Sequence, residues 1–250
     1  RRENRMIILP IDDQLRIVTQ NDHAAFAGEL LSLWRADGVP TNPRRDALLV
    51  AAREHDNGWR EVDSAPHARE DGKPHDFRSL PQPLRRELWR RGVERFAERD
   101  PVAALLILEH AIALHLDRLD DPEWAALVET WRQQRDAWRD ALGLDAETLR
   151  ADYRFIDLTD VLSLAVCAGW SEPFDTSGPR AAVRTIDATT AELLLDPLPL
   201  AGATSFDVAC RFIEDRPFSG DADLAIELAS ARWTSIRVRV GGSNSVSLSN

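Results

Sequence analysis

The sequence predicts a mainly α protein with a small antiparallel β appendage at its C-terminal end, and three observations lead there. Two helix starts are marked by a capping aspartate followed by proline, Asp100-Pro101 and Asp121-Pro122. The carboxylate can accept from the unpaired N–H groups of a first turn, and proline suits the first helical position. Trp124, Trp131 and Trp138 recur every seven residues, which places them on one helix face as a packing stripe. Past Gly169-Trp170 the helical period gives way to alternating β-branched runs, most clearly over 235–240.

Taken in order, 6–9 and 15–18 are short β-like runs about Pro10 and Asp13 and predict a small hairpin. Asn21 or Asp22 can cap a helix reaching Arg35, with His23 in its first turn. His23, Ala27, Leu30 and Trp34 fall on one face of it, so His23 interrupts an otherwise apolar stripe. Asn42-Pro43 opens the next helix, which runs out at His55-Asp56 before Gly58. Residues 59–83 are rich in proline, glycine and charge, and a loop of that length directly after the doublet suits a lid. Helices then cover 84–98, 102–116, the tryptophan-bearing segment after Pro122, and a last one from the Asp145 cap to Cys167. Runs 191–195, 206–212 and 235–240 predict the strands of the appendage, whereas 224–231 suits strand or helix equally. The expected organisation is a helical unit over 1–170 with a small β-rich region over 171–250 packed on it, its tail from Gly241 frayed.

Composition narrows the functional classes. A chain of 250 residues with 44% apolar content can bury a full core. A net charge of −11 argues against a nucleic-acid groove, where cations should cluster, and leaves room for a small phosphorylated substrate that needs only a local patch. Cys167 and Cys210 form no CxxC pair and read as buried thiols of a reducing compartment. The apolar run after the basic residues 1–5 is too short for a signal segment, and the longest apolar stretch, 102–108, stops at Glu109 and His110. A cytoplasmic protein without membrane or nucleic-acid partners is expected. A homo-oligomer through the tryptophan stripe is left open.

The polar residues that fall on apolar helix faces carry the chemistry: His23, His55, Asp56, His110 and Asp160, from four helices. An isolated histidine on such a face is more often a hydrogen-bonded core residue than a ligand. Five coincidences would each need a separate buried partner, whereas one metal site satisfies them together. Asp160 has Ile156 and Leu164 a turn away on either side and so points at the core, where an unpaired charge is expensive. Asp157, flanked by Tyr153 and Val161, is the alternative at this position. Imidazole nitrogen with carboxylate oxygen suits Mn, Fe, Co, Ni or Zn, with Mg less well matched. His115 is expected to be packing or surface, and His67 exposed.

The order His23, His55-Asp56, Asp160 resembles the signature of the HD-domain superfamily of metal-dependent phosphohydrolases. The phrases 18–23 (VTQNDH), 55–59 (HDNGW), 72–77 (GKPHDF), 105–110 (LLILEH) and 160–164 (DVLSL) are similar to a bacterial family known as domain of unknown function three-eight-nine-one. Residues 196–200 (DPLPL) depart from the Pro-Trp-Pro-Phe expected there. The resemblance implies an HD-like helical bundle in which His23, His55, Asp56 and Asp160 hold one or two divalent ions, with Asp56 bridging if two bind. It gives His110 the role of an added ligand or a contact to substrate. The function expected is a metal-dependent hydrolase of a small phosphorylated substrate, with Asp56 as catalytic residue and Lys73 and His75 of the loop touching the phosphate. Two rivals stand beside it: an HD-type di-iron oxygenase, and a non-catalytic module with a structural metal.

Overall fold

In the computed structural model, which describes residues 6–64, 66–75 and 81–243, the first strand already belongs to the six-stranded sheet. β1 (Ile7–Ile11) and β2 (Gln14–Val18) form the expected hairpin, with Ile11 opposite Gln14. Asp12 takes the left-handed turn position at φ 54°, which a short polar residue tolerates better than a branched one. β2 then pairs with β5 (Thr204–Glu214), Gln14 against Glu214 and Ile17 against Arg211. With β3 (Arg180–Asp187), β4 (Thr190–Asp196) and β6 (Trp233–Gly242) the order is β1-β2-β5-β6-β4-β3. β4 and β6 run parallel, and the other neighbours antiparallel.

This overturns the expected fold class. The protein is α/β, about 50% helical and 22% strand, with a curled six-stranded mixed sheet in place of a small antiparallel appendage on a mainly α bundle. The physical reason is that strand pairing is non-local. Nothing in the alternation of 14–18 announces a partner two hundred residues on, and a parallel pair such as β4–β6 is made by a crossover that local periodicity does not encode.

Eight helices accompany the sheet among the described residues: α1 (Gln20–Ser32), α2 (Arg45–Glu54), α3 (Arg60–Ser64), α4 (Gln82–Glu94), α5 (Pro101–Leu114), α6 (Pro122–Ala141), α7 (Ala146–Cys167) and α8 (Asp221–Ser230). Caps act as expected at Asp100, Asp121 and Asp145, whose side chains accept from Ala103 N–H, from Glu123 and Trp124 N–H, and from Thr148 N–H. At α1 the cap is Thr19 instead, its hydroxyl oxygen accepting from Asp22 N–H at 3.1 Å. α2 begins at Arg45, two residues after Pro43. The ambiguous 224–231 segment lies within helix α8 and its end.

Alternation along β2 serves two cores. Val18 joins a large cluster with Leu30, Leu105, Ile156, Val208 and Ile236, so α1, α5 and α7 pack on one face of the sheet. Leu15 and Ile17 point the other way and meet Ile213, Phe218, Leu224 and Leu228 under α8. Trp124 and Trp131 are buried and Trp138 packs against the main core, as a stripe requires. Cys167 and Cys210 are free and buried. No helix among the described residues is long and apolar enough to cross a membrane. Of the tail expected to fray from Gly241, Gly241 and Gly242 instead pair with Leu194 and Leu195 in the sheet, while the part past Ser243, like Asp76 and Phe77, lies outside the described residues.

Candidate metal centre

Four helices deliver their polar residues to one place. His23 sits in the first turn of α1, His55 is the C-cap of α2 with Asp56 next to it, His110 lies in α5 and Asp160 in α7. His23, His55 and His110 are each 1% exposed, Asp56 6% and Asp160 8%, so the cluster is nearly dry and its carboxylates hold what contact with solvent there is. His23 Nε2 is 2.9 Å from Asp56 Oδ2, and His55 Nε2 is 3.7 Å from the same oxygen and 3.3 Å from Asp160 Oδ1. His110 Nε2 is 3.9 Å from Asp160 Oδ2. Bonds of about 2.0–2.2 Å put neighbouring ligand atoms of one coordination sphere roughly 3 Å apart and opposite ones roughly 4 Å apart. Within each of two overlapping triads the donor atoms come close to that spacing. Donor atoms of two triads, His23-His55-Asp56 and His55-His110-Asp160, fall within 4.8 Å of one another.

The outer nitrogens are already committed. His55 Nδ1–H donates to the Ala52 carbonyl at 2.8 Å, His23 Nδ1 lies 3.0 Å from Ser163 Oγ, and His110 Nδ1 lies 3.3 Å from the Tyr153 hydroxyl. Such partners fix which nitrogen of a ligating imidazole faces the metal. Inside, His55 Nε2 and His110 Nε2 are buried without a hydrogen-bond partner. Buried polar atoms are rarely left so, and two such nitrogens beside two carboxylates are what a divalent cation would satisfy. The residues present fit such an ion.

The electrostatics agree. Burial alone would push the His55 imidazole down, but the carboxylates of Asp56 and Asp160 outweigh it and raise its pKa to about 9. Burial would raise Asp160, yet His55, His110 and His23 hold it well below the usual carboxylate range. His110 goes the other way, lowered to about 4 by burial and then by the neighbouring His55. Positive charge is favoured at one point in the cluster, and a single proton or a metal ion can supply it.

The turn that carries Asp56 is held from outside. Asn57 Nδ2–H donates to Glu54 O at 2.8 Å and to Gly92 O at 3.0 Å, and Arg95 Nη1–H donates to Asn57 O at 2.8 Å. A Cβ on Gly58 would lie 2.1 Å from the Leu88 carbonyl oxygen, so only glycine lets α4 approach so closely. Asp63, on α3, accepts from Gln20 N–H at 3.0 Å and ties that short helix to the start of α1. Sequence reasoning missed Asn57, Tyr153, Ser163 and Gly92 as supports. The Asn-Gly pair after His55-Asp56 was the available signal, while Tyr153 and Ser163 were visible only as positions a turn or two from Asp160.

The loop residues make contacts of their own. Lys73 Nζ donates to Asp215 Oδ1 at 2.6 Å, His67 Nδ1 meets Asp221 Oδ2 at 2.8 Å, and His75 N–H donates to His67 O at 2.8 Å. The segment is thereby fastened to the end of β5 and the start of α8. Asp157 is half-buried, while Asp160 makes the contacts of the cluster. His115 is fully buried, donates from Nδ1 to Ala111 O at 2.7 Å and stacks on Trp124, with ring centroids 4.1 Å apart.

No curated protein and no solved structure matches the chain significantly. A family model described as "Protein of unknown function (DUF3891)" matches residues 6–215, a span that takes in all five residues of the cluster, and the chain belongs to that family.

Proposed function

We propose that this protein is a metal-dependent hydrolase acting on a small phosphorylated substrate through metal-activated water. The observation that carries it is the convergence of His23, His55 and His110 with Asp56 and Asp160 in a nearly dry interior, with His55 Nε2 and His110 Nε2 orphaned beside the carboxylates. The order His23, His55-Asp56, Asp160 also resembles that of HD-domain phosphohydrolases. A bound divalent ion lowers the pKa of its water toward neutrality and polarises a phosphoryl oxygen.

The chain's own groups do the rest. His23, His55 and Asp56, with His110 and Asp160 beside them, would hold the ion, and the backbone of Ala52 keeps His55 in the tautomer that presents Nε2. Asp56 orients the attacking water and accepts its proton. Water and substrate reach the site past Asp56 and Asp160, whose side chains are 8% and 12% exposed against 0–1% for the imidazoles. Lys73 and His75 would touch the phosphate only after Lys73 leaves Asp215.

One ion is favoured over two. Both triads need His55, its Nδ1 is spent on Ala52 O, and a single nitrogen lone pair binds a single ion. That counts against the di-iron alternative. The test is elemental analysis of protein purified without added metal, followed by a screen of phosphorylated metabolites for phosphate release. About one ion per chain and turnover that Asp56→Ala abolishes together with metal content are expected. Full metal occupancy in Asp56→Ala would remove Asp56 from the site.

A further inference from the structure

We infer that Ser163 is the positioning residue of the metal centre, a hydroxyl rotor that lets His23 change tautomer when the ion enters. Ser163 is fully buried on α7, one turn after Asp160. Its Oγ lies between two groups: it donates to the Asp160 carbonyl at 2.9 Å and sits 3.0 Å from His23 Nδ1. The opposite nitrogen of that ring, Nε2, is 2.9 Å from Asp56 Oδ2.

A serine hydroxyl has one proton and two lone pairs, so this geometry permits two arrangements. In the first, Ser163 turns its proton to His23 Nδ1, and His23 Nε2–H donates to Asp56. Both ring nitrogens of His23 are then satisfied without a cation, at the expense of the Ser163 bond to the Asp160 carbonyl. In the second, Ser163 donates to the Asp160 carbonyl and accepts from His23 Nδ1–H, which leaves the Nε2 lone pair facing the Asp56 carboxylate. Lone pair against carboxylate at 2.9 Å is repulsive unless positive charge lies between them. The second arrangement is therefore the metal-holding one. The two arrangements differ in which ring nitrogen holds the proton that Ser163 and Asp56 share out between them. His55 has no such freedom, because Ala52 O can only accept and holds the proton on Nδ1 permanently. The serine also ties α1 to the turn of α7 that bears Asp160, so the same rotor senses two ligands.

This deepens the metal reading of the site and rests on it. The test uses the full chain labelled with 15N-histidine, compared metal-free and with one equivalent of Zn(II), with Zn(II) affinity measured by calorimetry. The wild type should show His23 as the Nε2–H tautomer without metal and as Nδ1–H with it. Ser163→Ala should keep its melting curve within a few degrees yet lose about 10- to 100-fold in Zn(II) affinity, the range seen when a ligand's supporting partner is removed. Ser163→Thr, which restores a hydroxyl at this position, should recover most of that loss. A Ser163→Ala protein with wild-type affinity, or a His23 tautomer that does not respond to Zn(II), overturns the inference. A wild-type chain that binds no Zn(II), Mn(II) or Fe(II) instead overturns the metal reading and takes this inference with it.

Discussion

Gly58 shows how a residue without a side chain places one that has chemistry. It lies two positions after Asp56, pressed against the backbone of α4. Gly58→Ala must push that helix away, and overpacking of this kind costs about 1–3 kcal/mol. We expect a lowered denaturant midpoint together with weaker metal binding, since the turn bearing Asp56 moves with it; an unchanged midpoint would show that α4 yields freely. His115 supplies a pH prediction. Its pKa falls from an ordinary 6.5 to about 3, mainly through burial. Above pH 6.5 folded and unfolded chains both hold it neutral and the stability is whole. As pH drops from 6.5 towards 3 the unfolded chain takes up a proton that the folded one refuses, at up to about 1.4 kcal/mol for each pH unit. His115→Phe keeps a ring against Trp124 and should flatten the fall of melting temperature across that window. Parallel slopes for variant and wild type would contradict it.

Between elements, the α2–α7 pair decides whether the ligands meet. At its far end, Asp152 accepts from Arg44 Nε–H at 2.5 Å and from Asn42 Nδ2–H at 2.7 Å. At its near end, His55 faces Asp160. Two such anchors align the helices in parallel over roughly two to three turns, at 3.6 residues per turn. Asp152 is 3% exposed. Removing one partner of a fully buried pair costs about 3–5 kcal/mol, and less where, as here, the arginine side chain is 24% exposed. Arg44→Met should therefore destabilise by about 2–3 kcal/mol in urea, and Arg44→Met with Asp152→Leu should recover part of it. A loss too small to measure in the single variant would mean the helices are aligned by apolar packing alone.

The whole molecule is organised by the sheet that joins its two ends. β2 pairs with β5, and one apolar cluster holds Val18 and Ile156 together with Val208 and Ile236. A chain ending at residue 170 would expose the helical side of that cluster and leave β2 without its inner neighbour. We expect it to be insoluble or to lack a cooperative melt, and a sharp melt from such a fragment would show that the helices need no sheet. Much of the candidate site was legible from residues alone. Helical spacing put His23 and Asp160 on apolar faces, and the Asp-Pro starts placed α5 and α6, because capping and periodicity act within a few residues. What local order could not convey was who meets whom across the chain: that β2 finds β5, that Lys73 pairs with Asp215, that Ser163 lies between His23 and the Asp160 carbonyl. Those contacts are chosen by shape and by the burial of apolar surface over the entire fold, and only the tertiary structure decides them.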